Sequence, residues 1–456
     1  MRLTFEHGTV VVSEPPDLDL GFAPGLMWDP RVALWRAPAR FHSDLVRALR
    51  AKKLPLDDRV RPRPSPRMPE WTTPELRPYQ KGALMAWALA ERRGLVVLPT
   101  GAGKTRVAVA ALAELRLPAL IVVPTRALLA QWHAELSRVC PEPVGIWGDG
   151  ERVNGTVTVA TFESAYRLMP ELGARFDVLV VDEVHHFGLG ARDELMEMCV
   201  AKHRLGLTAT PPDTMALARL EGLIGPVVYE LGVADLSGTY LAEFDRIELR
   251  LPLEPDERLK YQKDHQRFAE VFRGFAQQNP AAGWADFTSV AMQSVEGRAA
   301  LAAWRRSRRL LGLTRKKLAA VHEILERHRQ SKVLVFTADN DAAYAIAKRE
   351  LVMPITCEIR RRERARVLSA FRDGSIRALV SSQVLNEGLD VPDADVAVVV
   401  GGTRGEREHV QRIGRLLRPS PGKRATVYEL VSAGTREVLQ SRQRSRGLAA
   451  AHAALV

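Results

Sequence analysis

Cysteine is nearly absent from this sequence, with three in 456 residues (Cys140, Cys199 and Cys357), no CxxC pair and no Cys/His spacing. That excludes a disulfide scaffold and a zinc ribbon, and it predicts a reducing compartment. Long apolar runs are missing as well. Without a stretch of about 18 apolar residues, no membrane-spanning helix and no membrane partner are expected. The opening MRLTFEHGTV lacks the basic-then-apolar order of a secretory leader, so a cytoplasmic protein is expected. Acidic residues are scarce in one region only. Residues 1–300 carry 36 basic and 38 acidic side chains, whereas residues 301–456 carry 30 and 16, so the net charge of +12 arises in the last third. A basic surface of that size implies a polyanionic partner, nucleic acid first, and a nucleoid association in a prokaryote. The remainder is ordinary globular composition, 46% hydrophobic and 26% charged, in a chain long enough for about three domains.

Composition divides the chain. Residues 1–60 predict a small N-terminal domain, with a hairpin across Leu3–Val12 and a helix from His42 to Lys52. Residues 61–74 (RPRPSPRMPEWTTP) are too rich in proline for a helix and read as a linker. Short, continuously apolar runs (Gly94–Leu98, Ala119–Val123, Val157–Ala160, Val178–Val181) then alternate with helix-length segments over 75–235. The alternation resumes over 316–440 with Val333–Phe336, Ala378–Ser381 and Val396–Val400. Apolar strands with helical crossovers predict parallel sheets covered on both faces, here two α/β domains of similar length. Residues 245–315 between them read as a mostly helical, basic insertion, and 441–456 as a basic, alanine-rich tail. Trp28 and Trp35 read as core residues of the small domain rather than as base-stacking ones.

After the strand at 94–98 comes Leu98-Pro99-Thr100-Gly101-Ala102-Gly103-Lys104-Thr105 and then a helical run. Glycines let backbone N–H groups turn inward around phosphate oxygens, and the helix N-terminus adds a positive dipole end. In such a loop Lys104 reaches the β/γ-phosphates of a bound nucleotide and Thr105 binds Mg²⁺. Leu98 replaces the first glycine of the usual GxxxxGK[ST] form. A second strand runs into Asp182-Glu183-Val184-His185-His186. A carboxylate ending a buried strand is costly unless a cation or donor meets it; with Mg²⁺ on Thr105, Asp182 completes the metal shell, and Glu183 orients or deprotonates the attacking water.

These strings, with Arg77-Pro78-Tyr79-Gln80, Pro124-Thr125-Arg126, Thr208-Ala209-Thr210 and QRIGRLLR from Gln411 to Arg418, stand in the order of superfamily 2 helicases over roughly 72–435. Within that superfamily the chain most resembles the XPB/DEVH branch of DNA-repair helicases, through RPYQ, DEVH and LGLTATP followed by LIGPVVYEL. The segment GTVVVSEPP…MWDPRVALWRAPARFH resembles a shortened damage-recognition domain of that branch. The resemblance implies two tandem RecA-like domains, a thumb-like insertion over 245–315, and an ATP-dependent DNA helicase or translocase moving 3′→5′. It implies adenine reading by Arg77 and Gln80, ribose and phosphate contacts from Gly388 and Asp390, and γ-phosphate contacts from Gln411, Arg415 and Arg418. His185, Thr208 and Thr210 match couplers between phosphate state and strand grip. Thr125, Arg126, Thr161 and Thr337 match positions that face the strand. The branch's Arg-Glu-Asp signature is missing after the TAT motif, where the chain reads Thr210-Pro211-Pro212-Asp213-Thr214.

The basic run Arg305, Arg306, Arg308 and Arg309 reads equally as a backbone track for DNA or as a solvated helix face. The expected partner is single-stranded or forked DNA, and with no nuclease motif visible any strand cleavage falls to a separate nuclease. Alternatives are a duplex translocase without strand separation, an RNA helicase, or a low-turnover DNA platform that recruits such a nuclease. Intact Lys104, Asp182, Glu183, Arg415 and Arg418 argue against the platform.

Overall fold

The computed structural model describes residues 1–13, 20–61, 67–190, 192–236, 243–280, 282–382, 394–401 and 424–441. These form two compact units, one ending at Gly232 and the other beginning at Val233.

In the first unit, the turn at His7-Gly8 folds Arg2–Glu6 against Thr9–Ser13, and Leu34–Pro38, Met27–Asp29 and Asp57–Asp58 complete a five-stranded sheet. The helix His42–Ala51 packs Leu45 and Leu49 onto it. This core continues into Val200 and Ala174 of the following domain. Trp35 is half-buried here, but Trp28 is 48% exposed and meets Trp35 edge-on at 5.7 Å. The core expectation therefore fails for Trp28, which lies on an edge strand of the sheet.

The proline-rich stretch holds no helix in its described part, residues 61 and 67–74. It is no free spacer, however. Met68 and Trp71 are buried, and the N–H groups of Met68 and Thr72 donate to Arg116 and Val139 carbonyls.

An eight-stranded sheet follows. Its order is Val227–Glu230, Arg93–Val97, His203–Thr208, Val178–Asp182, Ala119–Val123, Val157–Thr161, Gly145–Gly148 and Glu151–Val153. All pairs except the last are parallel. The central strands are apolar on both faces because helices cover both, so their C-terminal ends share one edge, where ligands collect in such sheets.

The second unit holds a six-stranded parallel sheet ordered Glu243–Leu251, Arg424–Ser432, Val396–Val399, Val333–Phe336, Ala378–Ser381, Met353–Ile355. Residues 245–251 are thus an outer strand and not the start of a helical insertion. The segment EFDRIELRL alternates, as a strand with one polar face does. Its Arg246 Nε donates to the buried Glu429 at 3.1 Å. The helices Pro255–Gln278, Trp284–Met292 and Val295–Gly312 then form an aromatic cluster of their own. Buried Lys317 ties the end of this cluster to the sheet, donating to the Leu311 carbonyl at 2.7 Å and to both Glu437 oxygens at 2.9 and 2.8 Å.

Candidate nucleotide site and helix-terminus edge

The phosphate loop leaves the strand Arg93–Val97 and opens the helix Lys104–Leu115. Gly101 and Gly103 sit at φ +85° and +79°, where a side chain is strained. A Cβ on Gly103 would also lie 2.5 Å from Gln80 Nε2. Gln80 is buried, accepting from the Arg77 N–H at 2.9 Å and donating to the Ala102 carbonyl at 2.8 Å. The Tyr79 hydroxyl donates to that same carbonyl at 2.7 Å. The RPYQ segment therefore braces the loop from below.

Lys104 Nζ donates to the Leu98 carbonyl at 3.1 Å, folded back across the loop. The N–H groups of Lys104 and Thr105 open a helix and have no intrahelical acceptor. Thr100 Oγ1 is buried without a hydrogen-bond partner among the described residues. Unspent donors, a cation and glycine-enforced curvature fit a triphosphate. Among the described residues, no three His, Cys, Asp or Glu side chains group to hold a metal alone. One hydroxyl (Thr105) and one carboxylate (Asp182) suit Mg²⁺, which takes its other ligands from phosphate and water.

Asp182 ends the strand Val178–Asp182, adjacent and parallel to His203–Thr208, which is itself paired with the strand entering the loop. Trp132 Nε1 donates to one Asp182 oxygen at 2.8 Å, and the Glu183 N–H donates to the other at 3.0 Å. Burial pushes the Asp182 carboxyl above its ordinary value, while Lys104 and the Trp132 bond pull it down. No spacing rule announced Trp132, fifty residues away. Glu183 takes φ +51°, a left-handed conformation costing a non-glycine residue about 1–2 kcal/mol. His185 Nδ1 lies 3.0 Å from Thr208 Oγ1 and 3.4 Å from a Glu183 oxygen. The Thr208 hydroxyl already donates to the Thr210 carbonyl at 2.8 Å, so His185 Nδ1 carries the proton and donates to Thr208. Leu98 N–H donates to the Thr208 carbonyl at 3.0 Å. Thr208 therefore meets the phosphate loop through its carbonyl and His185 through its hydroxyl, with a Glu183 oxygen 3.4 Å from the same imidazole nitrogen.

Further along the same edge, Thr125 follows the strand Ala119–Val123 and Thr161 ends the neighbouring strand Val157–Thr161, and they cap the helices Arg126–Leu136 and Phe162–Leu172. They accept from Leu128 and Ser164 N–H at 3.3 and 3.2 Å. Two helix N-termini side by side form a surface suited to phosphates. Arg126 is exposed, 3.2 Å from an Asp149 oxygen. Thr337 departs from its expected role. It is fully buried, and its hydroxyl bonds the Asp339 carbonyl at 3.0 Å, so the sheet's own turn consumes the group meant for a strand. Arg306 pairs with Asp264, Arg309 with Asp341, and Arg308 lies over the Trp304 ring at 4.9 Å. Gly388, Asp390, Gln411, Arg415 and Arg418 lie outside the described residues.

Sequence reading missed one further group. Asp193, buried, accepts from the N–H groups of Gly188 and Gly190 at 2.9 and 3.1 Å, fixing the loop just after the DEVH string. Arg219 lies 3.6 Å from Asp193 and 3.1 Å from Glu197, and Glu197 pairs with Arg40 of the small N-terminal domain. Arg40 also donates to the Gly222 carbonyl at 2.9 Å.

Three segments of the chain match families of known proteins. Residues 3–60 match the family described as the Xeroderma pigmentosum group B helicase damage recognition domain. Residues 73–213 match the type III restriction enzyme res subunit family, and 316–420 the helicase conserved C-terminal domain. A Sulfurisphaera tokodaii protein named DNA 3′-5′ translocase XPB2 is 36% identical over 93% of this chain and 96% of its own length. A Kineococcus radiotolerans protein named DNA 3′-5′ helicase XPB is 31% identical over 82% of this chain, which spans 63% of that relative. The crystal structure of the Pyrococcus furiosus Hef helicase domain covers 81% of the chain with a TM-score of 0.51 at 20% identity, a likeness of fold. By its length-wide identity and its damage-recognition segment, the chain belongs to the XPB family of superfamily 2 helicases and translocases.

Proposed function

We propose that this chain is an ATP-dependent DNA helicase and translocase that moves 3′→5′ and acts in DNA repair. The carrying observation is the placement of the phosphate loop, Asp182 and the His185–Thr208 hydrogen bond on the sheet edge that also bears the helix N-termini at Thr125 and Thr161. ATP brings the scissile phosphate; Mg²⁺, when bound, would be held by Thr105 and Asp182 and would supply charge neutralisation. Lys104 leaves the Leu98 carbonyl for the β/γ-phosphates, and the loop N–H groups take phosphate oxygens. Asp182, oriented by Trp132, holds the metal side. Glu183, held by its left-handed backbone, directs water in line with the γ-phosphate. His185 reads that carboxylate and passes its position to Thr208 and Thr210. Arg77 and Gln80 serve the adenine, Gly388 and Asp390 the ribose and phosphates, and Gln411, Arg415 and Arg418 the γ-phosphate. DNA is gripped by its phosphates at Thr125, Arg126 and Thr161. The protein works in the cytoplasm at the nucleoid, and strand cleavage is left to a separate nuclease.

A second reading, duplex translocation without strand separation, is favoured by the segment after the TAT motif. There Asp213 is spent capping the helix Thr214–Leu223, accepting from the Ala216 N–H at 2.9 Å. One experiment separates the readings: triplex displacement and fork opening on DNA and RNA tracks. The proposal expects both activities on DNA. Displacement without opening selects the second reading, an RNA-only response selects an RNA helicase, and neither activity overturns translocation.

A further inference from the structure

The helical cluster of the second unit holds more aromatic surface than its own core uses. Phe268 and Phe287 are buried, but Trp284 is 38% exposed and Trp304 half-buried, their ring centroids 4.7 Å apart. Both indoles line a cavity of about 760 Å³ that reaches Ala338 and Asp339, ahead of the helix Asn340–Glu350, and Arg436, Glu437 and Gln440 beyond the strand Arg424–Ser432. That volume lies within the range of small-molecule sites, roughly 300–1,000 Å³.

Charge at its rim is asymmetric. The carboxylates are engaged: Asp341 by Arg309, Glu437 by Lys317, and Asp339 by capping its helix through the Ala342 N–H at 2.8 Å. Two lining guanidiniums, Arg305 and Arg436, are exposed and have no acidic partner among the described residues. Arg308 is stacked over Trp304.

We propose that this cavity binds one unpaired nucleotide, its base against Trp284 and Trp304 and its phosphate on Arg305 and Arg436. Flat indoles beside planar, weakly hydrated guanidiniums accept a base and a phosphate together. An apolar peptide would leave the two arginines unused. A free amine would find no carboxylate to meet. The nucleotide is either an unstacked residue of a DNA strand or a free mononucleotide. The residues that line the cavity all belong to the second unit.

The test cross-links an oligothymidylate bearing one 5-iododeoxyuridine to the full chain and maps the adducts. The expected adducts lie on peptides containing Trp284 or Trp304. Trp284→Leu should weaken oligothymidylate binding about fivefold or more, with DNA-free ATPase and melting temperature retained as evidence of folding. Joint Arg305→Ala and Arg436→Ala substitution should flatten the salt dependence of that binding, by about 0.7 in log–log slope for each phosphate no longer neutralised. Excess thymidine monophosphate that abolishes the adduct identifies a free nucleotide as the ligand, and failure to compete identifies the strand. Adducts elsewhere, with binding unchanged in all variants, overturn the proposal.

Discussion

Glu183 and His185 show how much depends on single groups here. His185 Nδ1–H points at Thr208 with a Glu183 oxygen 3.4 Å away, so removing the imidazole should uncouple and not inactivate. His185→Ala should keep DNA-free ATP hydrolysis within about threefold and lose most of its stimulation by DNA; the ratio of the two rates is the measurement. Thr337→Ala should leave DNA affinity unchanged and cost about 1 kcal/mol in urea unfolding, because its buried hydroxyl serves the Asp339 carbonyl. His203 supplies a pH signature. Burial holds its imidazole down to about 4, below the ordinary 6.5, and its Nδ1 has no partner among the described residues. Above pH 6.5 it is neutral whether folded or unfolded and contributes nothing. Between about 6.5 and 4 the unfolded chain takes up the proton first, so stability falls as pH falls. Melting temperature followed over that window should drop, and less steeply in His203→Gln.

At the scale of elements, two charged clusters pin structure near the sites. The group Arg40–Glu197–Arg219–Asp193 runs from the small N-terminal domain to the loop after DEVH. Asp193→Asn weakens two charge-assisted bonds, with a cost of about 1.5–3 kcal/mol expected in urea unfolding, and should lower kcat for DNA-stimulated hydrolysis more than KM. Lys317→Met strands Glu437 in a buried site at a cost of about 3–5 kcal/mol, whereas Lys317→Met with Glu437→Leu should recover most of it. Such pairs were not legible in the sequence, since Lys317 and Glu437 stand 120 residues apart. What was legible rests on local rules. The strand Val178–Asp182 is continuously apolar until its carboxylate, and Gly101-Ala102-Gly103-Lys104 specifies its own turn. The strand Glu243–Leu251 was missed because its partner, Arg424–Ser432, is distant in sequence and its alternation is half charged. Thr337 was misassigned because the end of a strand reveals position but not which way a hydroxyl bonds.

For the whole molecule, the 30 basic side chains of residues 301–456 serve different ends. Arg306, Arg309 and Lys317 are consumed by internal pairs. Arg415 and Arg418 are proposed to reach ATP, and Arg305 and Arg436 are proposed for the nucleotide cavity. A modest, phosphate-directed share for DNA predicts affinity that falls with salt and discriminates little between sequences, measurable by titration across sodium chloride concentrations. The central claim is that ATP turnover at the phosphate loop is governed by DNA. Steady-state ATP hydrolysis by the wild-type chain and by Lys104→Ala, each with and without forked DNA, tests it most directly. Strong stimulation by DNA is predicted for the wild type, and no turnover for Lys104→Ala under either condition. Turnover indifferent to DNA, or surviving the loss of Lys104, would contradict it.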